Sequence, residues 1–488
     1  MTTATQEFLG EGRWSGRAFS GEWRSVSGVA DVVEPATGKV IGSIGIASAD
    51  EVGIAATKAR AAQTHWYSLP YEERSRILRN AARIAEQNAE QIAAWIVRES
   101  GSIQAKAAFE VQLSIKALWE AAALPSQPQG LLLPGPSERL SLARRVPLGV
   151  VGIIAPFNFP LYLAIRALAP ALAFGNAVVL KPDPRTAVCG GVVLARLFED
   201  AGLPPDVLHV LPGPGAAGAR LCEHPDVAMI QFTGSTAAGR KVGELAGRHL
   251  KKVSLELGGK NVLIVLDDAD IDRAVSNAAW SAYLHSGQIC MSAGRILVQQ
   301  KIVTEFIGRL AQRARGLPVG DPASSQVALG PLIDRVQLEH THRIVAKSLA
   351  QGAVLEAGGT HSGLFYQPTV LSGVAPGMAA YEEEIFGPVA PITVFDDVDQ
   401  AVRLANQGEY GLSAGVLGST ARAMQVAGRL NTGLLHVNDQ TVADEVVNPF
   451  GGRGASGNGT SIGGPANREE FTQWQWFTVA AQAPTFPF

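Results

Sequence analysis

Cysteine is scarce in this chain: Cys189, Cys222 and Cys290 are the only three in 488 residues, far apart and odd in number. They form neither a disulfide framework nor a Cys-x-x-Cys pair, so the expectation is no metal and a reducing, cytoplasmic setting. An excess of either charge is missing too. With 41 basic and 44 acidic residues the net charge is -3, and nothing favours a nucleic-acid or membrane-surface partner. Long apolar runs are also lacking. The richest, Val146 to Leu180, holds Arg166 as its only charge but is cut by Pro147, Pro156, Pro160 and Pro170. It falls short of the roughly 20 unbroken residues a spanning helix needs. The opening Met1 to Glu7 shows no basic segment leading into an apolar core, which reads as no signal peptide.

What is there suits a globular protein of roughly two or three domains. Residues 30–46 alternate around Pro35 and Gly38 as a small hairpin would, and residues 68–123 carry apolar positions at helical spacing, broken near Gly101. A Pro/Gly-rich passage at 126–136 leads into a strand-like arm at 139–144. Short apolar runs at 148–155, 177–180, 207–211, 227–232 and 252–257 then alternate with helical segments, the signature of a parallel sheet covered on both faces. The rhythm restarts at Val262, with helices expected at 270–284, 301–315 and 334–350 and strands near 393 and 434. The fold class is therefore α/β: two α/β domains in series with a small β arm. The tail, Phe471 to Val479, alternates glutamine with aromatics as a strand does. Such an edge pairs with a second chain or is covered within the same subunit, and the sequence leaves both open.

Several stretches carry candidate chemistry. Gly287-Gln288-Ile289-Cys290-Met291-Ser292 places a cysteine among small residues on a loop, where a thiolate could meet a ligand, although a free cysteine is by default a small buried hydrophobe. Val253-Ser254-Leu255-Glu256-Leu257-Gly258-Gly259-Lys260 sets a lone acid in an apolar strand. Burial raises such a carboxyl toward neutral pH and makes it a candidate general base; a structural pairing with Lys260 is the alternative. Asn158, between Pro156 and Pro160, is either aimed into a cleft or an ordinary turn residue. Gly213-Pro214-Gly215-Ala216-Ala217-Gly218 spells a dinucleotide motif without the acid expected about 20 residues on. Phe232-Thr233-Gly234-Ser235 opens a helix whose free N–H groups could hold phosphate, or is a plain strand-to-helix turn.

Together with Leu180-Lys181-Pro182, Glu383-Glu384-Ile385-Phe386-Gly387-Pro388 and Pro449-Phe450-Gly451-Gly452, these stretches stand in the order and spacing of the aldehyde dehydrogenase superfamily. The likeness covers essentially the whole chain, and Arg145 to Gly457 most resembles the bacterial benzaldehyde dehydrogenases. It implies that Cys290 attacks an aldehyde, that Asn158 and the Cys290 N–H hold the oxyanion, and that Glu256 activates the water that releases the acid. It implies NAD as cofactor, with Lys181 at the adenosine ribose, Ser235 at the pyrophosphate, Glu384 at the nicotinamide ribose and Phe386 beside the ring. Ile154, Phe157, Gly215, Gly234, Gly239 and Leu257 complete that site.

By the same resemblance, residues 1–125 and 146–257 form the cofactor domain, 258–440 the catalytic domain, and 126–145 with 465–488 the arm and tail of a homodimer or homotetramer. Phe159, Tyr162, Arg166, Ile289 and Phe450 are the expected pocket for a small, aromatic aldehyde. Three departures stand out. Pro184, followed by Arg185, occupies the position where many NAD-preferring relatives carry a glutamate, which leaves NADP open. Phe157 replaces a tryptophan. Arg166 stands where a bulky aromatic is common and is free to pair with a local acid. A coenzyme A-acylating enzyme is the second reading, opposed by Glu256; a silent binding relative is the third, opposed by Cys290 and Glu256 together. A thiol hydrolase lacks a histidine placed for Cys290.

Overall fold

The computed structural model describes residues 8–136 and 139–488. The first seven residues, read above for a leader, and residues 137 and 138 of the arm lie outside them. The five apolar runs form five parallel strands in the order Lys252–Glu256, Val227–Thr233, Val150–Ile154, Ala177–Lys181 and Leu208–Val210. Val150–Ile154 and Ala177–Lys181 are buried along their whole length, as a sheet with helices on both faces demands.

The sequence reading missed two strands on this sheet. Arg17–Ser20 pairs antiparallel with Leu208–Val210, and Trp23–Ser25 follows it to the edge. They are three or four residues long and joined at Gly21, whose φ of 75° a side chain would strain. Runs this short carry too little periodicity to recognise. Gly28–Val33 and Val40–Ile46 form the expected hairpin. Residues 68–123 hold three helices, Tyr71–Gln87, Ala89–Ser100 and Gln104–Ala123, and the second stops at Gly101 in the left-handed conformation.

The second sheet has the order Val354–Ala357, Thr369–Ser372, Val389–Phe395, Ala293–Gln299, Asn261–Val265, Ser413–Leu417 and Leu434–Val437, parallel except at its first pair. Helices Ile271–Tyr283, Val303–Gly316 and Arg335–Ala350 match the expected segments. Only the turn from Leu257 to Lys260 separates Lys252–Glu256 of the first sheet from Asn261–Val265 of the second.

The chain then returns. Val446, Ile462 and Phe471 are buried in the core of the first sheet, and Leu257 N–H donates to the Ser456 carbonyl at 2.9 Å. Asn176 fastens this return: its side chain accepts from the N–H groups of Leu148 and Gly149 and donates to the carbonyls of Ala171 and Phe471. Thr472–Ala480 then pairs antiparallel with Arg139–Pro147, which also pairs with Gly130–Leu133. This three-stranded sheet leaves Leu131, Leu132, Trp474, Trp476 and Phe477 exposed. Among the described residues, no helix is long and apolar enough to cross a membrane.

Candidate active site

Strand ends build the site. Ile154 and Lys181 close two neighbouring parallel strands, Thr233 and Glu256 close two more, and all four face one open cleft of about 830 Å³. Ligands of open α/β sheets bind at this edge, beyond the carboxyl ends of the strands. Of the residues singled out from sequence, Phe157, Asn158, Gly234, Ser235, Leu257, Cys290, Glu384 and Phe386 line the same cleft. Gly215 does not: it begins the helix Gly215–Glu223 in an exposed position, and Gly218 is the glycine that packs on Ile154 and Lys181. Gly239 lies beneath Leu257, where a Cβ would collide with that side chain. Ser235 caps the helix Thr236–Arg248, accepting from the Ala238 N–H, and leaves that helix start facing the cleft.

Cys290 sits on a strained and tightly held loop. His285, Ser286 and Gly287 have φ of 52°, 54° and 69° in succession, and the two that are not glycine cost about 1–2 kcal/mol each. Hydrogen bonds offset that cost. Ser286 Oγ donates to the Gly330 carbonyl, the Gln288 side chain accepts from the Ile333 N–H, and Thr441 Oγ1 donates to the Met291 carbonyl. Asn261 Nδ2 donates to the carbonyls of both Cys290 and Ser292, at 2.7 and 2.8 Å. The other cysteines are fully buried, whereas Cys290 is partly exposed. His285 faces away, its ring against Phe159 and its Nδ1 3.4 Å from Ser102 Oγ.

Asn158 meets this loop directly: its Nδ2 donates to the Gln288 carbonyl at 2.9 Å and keeps a second hydrogen for a ligand. A buried ion pair mounts it from behind. Lys106 Nζ donates to Glu110 at 2.6 Å and to the Asn158 carbonyl at 2.7 Å, while Glu110 accepts from the N–H groups of Leu161 and Tyr162 in the first turn of the next helix. Both side chains are wholly buried. Nothing in the local sequence around Lys106 signals this role.

Glu256 is buried with neither carboxylate oxygen hydrogen-bonded. Burial pushes its carboxyl well above the usual range, Arg166 pulls it back, and Asp444 and Glu470 push it further up. The pairing with Lys260 is not formed, because Lys260 Nζ donates to the Glu383 carbonyl at 2.6 Å. Next to it, Gly259 N–H donates to Glu384 at 3.0 Å, and a Cβ on Gly258 would collide with the same carboxylate. Burial raises Glu384 to about 7. His340 and Gln337, which sequence reasoning missed, hold this segment through the carbonyls of Glu384 and Phe386.

Arg185 lines the cleft with its charge already paired. It binds Asp183 and Asp334, at 2.8 and 2.7 Å, and lies 4.2 Å over the Phe157 ring. Phe157 in turn meets Phe386 edge to face at 5.9 Å. Phe159, Ile289 and Phe450 pack with Leu284, Met291 and Leu412 into an apolar cluster against Cys290. Arg166 also finds its acid, Asp444, at 2.7 Å. Tyr162 is buried beneath the Arg166 guanidinium and does not reach the cleft.

A partly exposed thiol on a clamped loop, an amide beside it and an unpaired buried carboxylate share one cleft, and comparison with known proteins decides the family. The aldehyde dehydrogenase family profile matches residues 23–477. The chain belongs to the aldehyde dehydrogenase family. It is 53% identical over 484 residues to a vanillin dehydrogenase of Amycolatopsis sp., covering 99% of this chain and 100% of that one. It is 48% identical over 478 residues to a benzaldehyde dehydrogenase [NAD(+)] of Pseudomonas putida, covering 97% and 98%. Among solved structures it resembles a betaine aldehyde dehydrogenase of Staphylococcus aureus in complex with NAD+, with a TM-score of 0.95, 27% identity and coverage of 99% and 98%. An NADP dependent enzyme of E. coli matches with a TM-score of 0.92, 34% identity and coverage of 96% and 98%.

The free protein holds the Cys290 thiol in its protonated form. Burial pushes the Cys290 thiol up to about 12, with Glu384, Glu256 and Asp444 adding to it and Arg166 opposing. Below that value the thiolate fraction, and with it the rate of alkylation, grows about tenfold per pH unit. Iodoacetamide labelling of Cys290 in cofactor-free enzyme is therefore expected to climb without levelling between pH 7 and 9, as followed by peptide mass spectrometry. A plateau below pH 8 would mean that the thiol is not raised.

Proposed function

We propose that the protein oxidises an aromatic aldehyde of the benzaldehyde or vanillin type to its carboxylic acid with NAD, through a thiohemiacetal and a thioester on Cys290. The observation that carries this reading is the convergence of Cys290, Asn158 and Glu256 on one cleft, on a chain about half identical to dehydrogenases of both substrates. The Cys290 thiol gives up its proton to solvent, and the thiolate adds to the carbonyl carbon. The Asn158 amide and the Cys290 N–H receive the oxyanion, one such donor being worth about 3 kcal/mol. Collapse of the thiohemiacetal expels hydride and leaves the thioester. Bound NAD supplies the hydride acceptor. Glu256, free of hydrogen-bond partners, then takes a proton from water as the water attacks the thioester and returns it to the departing sulfur, so that the acid and the Cys290 thiol are released. A base in this position favours water over coenzyme A as the acyl acceptor.

The cleft suits a dinucleotide. Lys181 and Gly218 shape the adenosine end, Ser235 and Gly234 present the helix start to the pyrophosphate, and Glu384 takes the nicotinamide ribose with Phe386 beside it. Ile154, Phe157 and Leu257 form the apolar floor; Gly239 lets Leu257 pack down, and Gly215 acts at a distance as the start of the neighbouring helix. NAD is preferred to NADP because Arg185 is already bound by Asp183 and Asp334, which leaves a 2′-phosphate facing a carboxylate rather than a free cation. Residues 1–125 and 146–257 serve as the cofactor-binding domain and 258–440 as the catalytic domain. Phe159, Ile289 and Phe450, with Arg166 and Tyr162 behind them, shape a slot for a flat ring.

The exposed apolar side chains of the sheet formed by 130–133, 139–147 and 472–480 are covered by a second copy, giving a homodimer or homotetramer. Trp476, 74% exposed in one chain, is central to that face. Light scattering is expected to show an oligomer for the native chain and a smaller species for Trp476→Glu; a native monomer would remove this part of the reading.

With benzaldehyde and NAD, Glu256→Gln is expected to release one equivalent of reduced cofactor per site and then slow at least a hundredfold, while Cys290→Ala releases none yet binds NAD. NAD is expected to support wild-type turnover at least tenfold better than NADP, and aromatic aldehydes better than short aliphatic ones, by kcat/KM. Steady turnover by Cys290→Ala would overturn the mechanism.

A further inference from the structure

Arg166 is the one strongly basic group on the helix Pro160–Ala173, and it is buried there. Its Nη1 donates to Asp444 at 2.7 Å, its Nη2 donates to the Ile462 carbonyl at 2.9 Å, and its guanidinium lies 4.3 Å from the Phe450 ring centre. Its Nε has no partner. Both members of the pair are under a tenth exposed. A buried ion pair of this kind is weak as a stabilising device, since an apolar side chain of similar volume often does as well. The position therefore asks for another explanation.

The surroundings supply one. Arg166, Glu256 and Cys290 line the same small cavity beside the main cleft, with Phe450 and Ile462. Neither oxygen of Glu256 has a hydrogen bond, so its proton affinity is governed by burial and by charges that face it without touching it. Those are Arg166 from its helix, Asp444 from the loop after Thr441, and Glu470 from the helix Ala466–Phe471, itself 3.6 Å from Lys252. Cys290 faces Glu384, Glu256, Asp444 and Arg166, and Asp444 faces Arg166, Tyr162 and Glu445. Within this set Arg166 is the cation that acts on the base, and Asp444 is the anion that holds it and offsets its charge.

We propose that Arg166, held by Asp444, is a positioning residue whose charge sets the pH range over which Glu256 can act in hydrolysing the acyl-enzyme. This rests on the reading of Glu256 as the deacylation base. Removing the cation makes Glu256 harder to ionise. Removing the anion, with Asn keeping the contact to Arg166, makes it easier. Removing both returns the balance, and a merely structural pair would not give shifts of opposite sign.

The test is the pH profile of kcat with NAD and benzaldehyde for the wild type, Arg166→Met, Asp444→Asn, Arg166→Lys and the double variant Arg166→Met/Asp444→Asn. The acidic limb is expected to move about one unit to higher pH in Arg166→Met and about one unit to lower pH in Asp444→Asn, the size an opposite or like charge at close range produces. Arg166→Lys and the double variant are expected to return near the wild-type limb. Shifts of the same sign in the two single variants, or unmoved limbs with lowered kcat, would overturn the proposal. Should Arg166→Met fail to fold, Asp444→Asn and the double variant still decide it, because only the electrostatic account moves the first to lower pH and the second back. Glu256→Gln separates the two levels of inference: if it still deacylates at the wild-type rate, the base assignment fails, whereas a stalled Glu256→Gln with unmoved limbs removes only the role of Arg166.

Discussion

The turn from Leu257 to Asn261 is the constraint on which the site depends. It links the two seven-stranded sheets, and each of its residues holds something needed in the cleft. Leu257 is tied to Ser456 in the returning chain, and Gly258 and Gly259 admit the Glu384 carboxylate to the backbone. Lys260 holds the Glu383 carbonyl and Asn261 holds the carbonyls around Cys290. Glu256, at the end of the preceding strand, is fixed by the same turn. Glu256, Cys290 and Glu384 thus share a mount five residues long, and a small shift of one sheet against the other would move all three.

The electrostatics follow from that arrangement. The site brings Glu256, Asp444 and Cys290 into a buried space with Arg166 as their counter-charge, and sets Glu384 beside them with Lys260 as its own. Burial raises each of the three carboxyls and the thiol above its ordinary value. Low dielectric strengthens every remaining charge interaction, which is why one arginine on the helix behind Asn158 carries weight that it would not have on the surface. The Lys106–Glu110 pair uses the same physics differently. It is spent on the backbone of Asn158 and the first turn of its helix, and so holds an amide rather than tuning a proton.

Much of the fold was legible. Apolar runs at 148–155 and 227–232 read as buried parallel strands because they are too short for helices, lie between proline and glycine breaks, and alternate with helical segments. The tail strand was legible from its Gln–Trp alternation. The N-terminal pair Arg17–Ser20 and Trp23–Ser25 was not, because strands of three or four residues are stabilised by the sheet they join. The return of 441–471 onto the first sheet was not legible either, since its fold is dictated by distant partners. At the site, the residues near glycine turns and strand ends could be read: Glu256, Cys290, Asn158, Ser235 and Glu384 all stand in local patterns. Asn261, Lys106, Glu110, Gln337 and Asp444 act by reaching residues tens to hundreds of positions away, and no local pattern reports such contacts. The literal glycine motif was instructive in the other direction, because only Gly218 of it packs against the cleft lining, on Ile154 and Lys181.

The central claim is that oxidation passes through an acyl group carried by Cys290. The most direct measurement is mass spectrometry of the Glu256→Gln variant, quenched in acid after mixing with NAD and benzaldehyde and digested to peptides. A benzoyl group on the peptide containing Cys290, in an amount matching the reduced cofactor formed, is the predicted result. Formation of reduced cofactor and benzoate with that peptide unmodified would contradict the account.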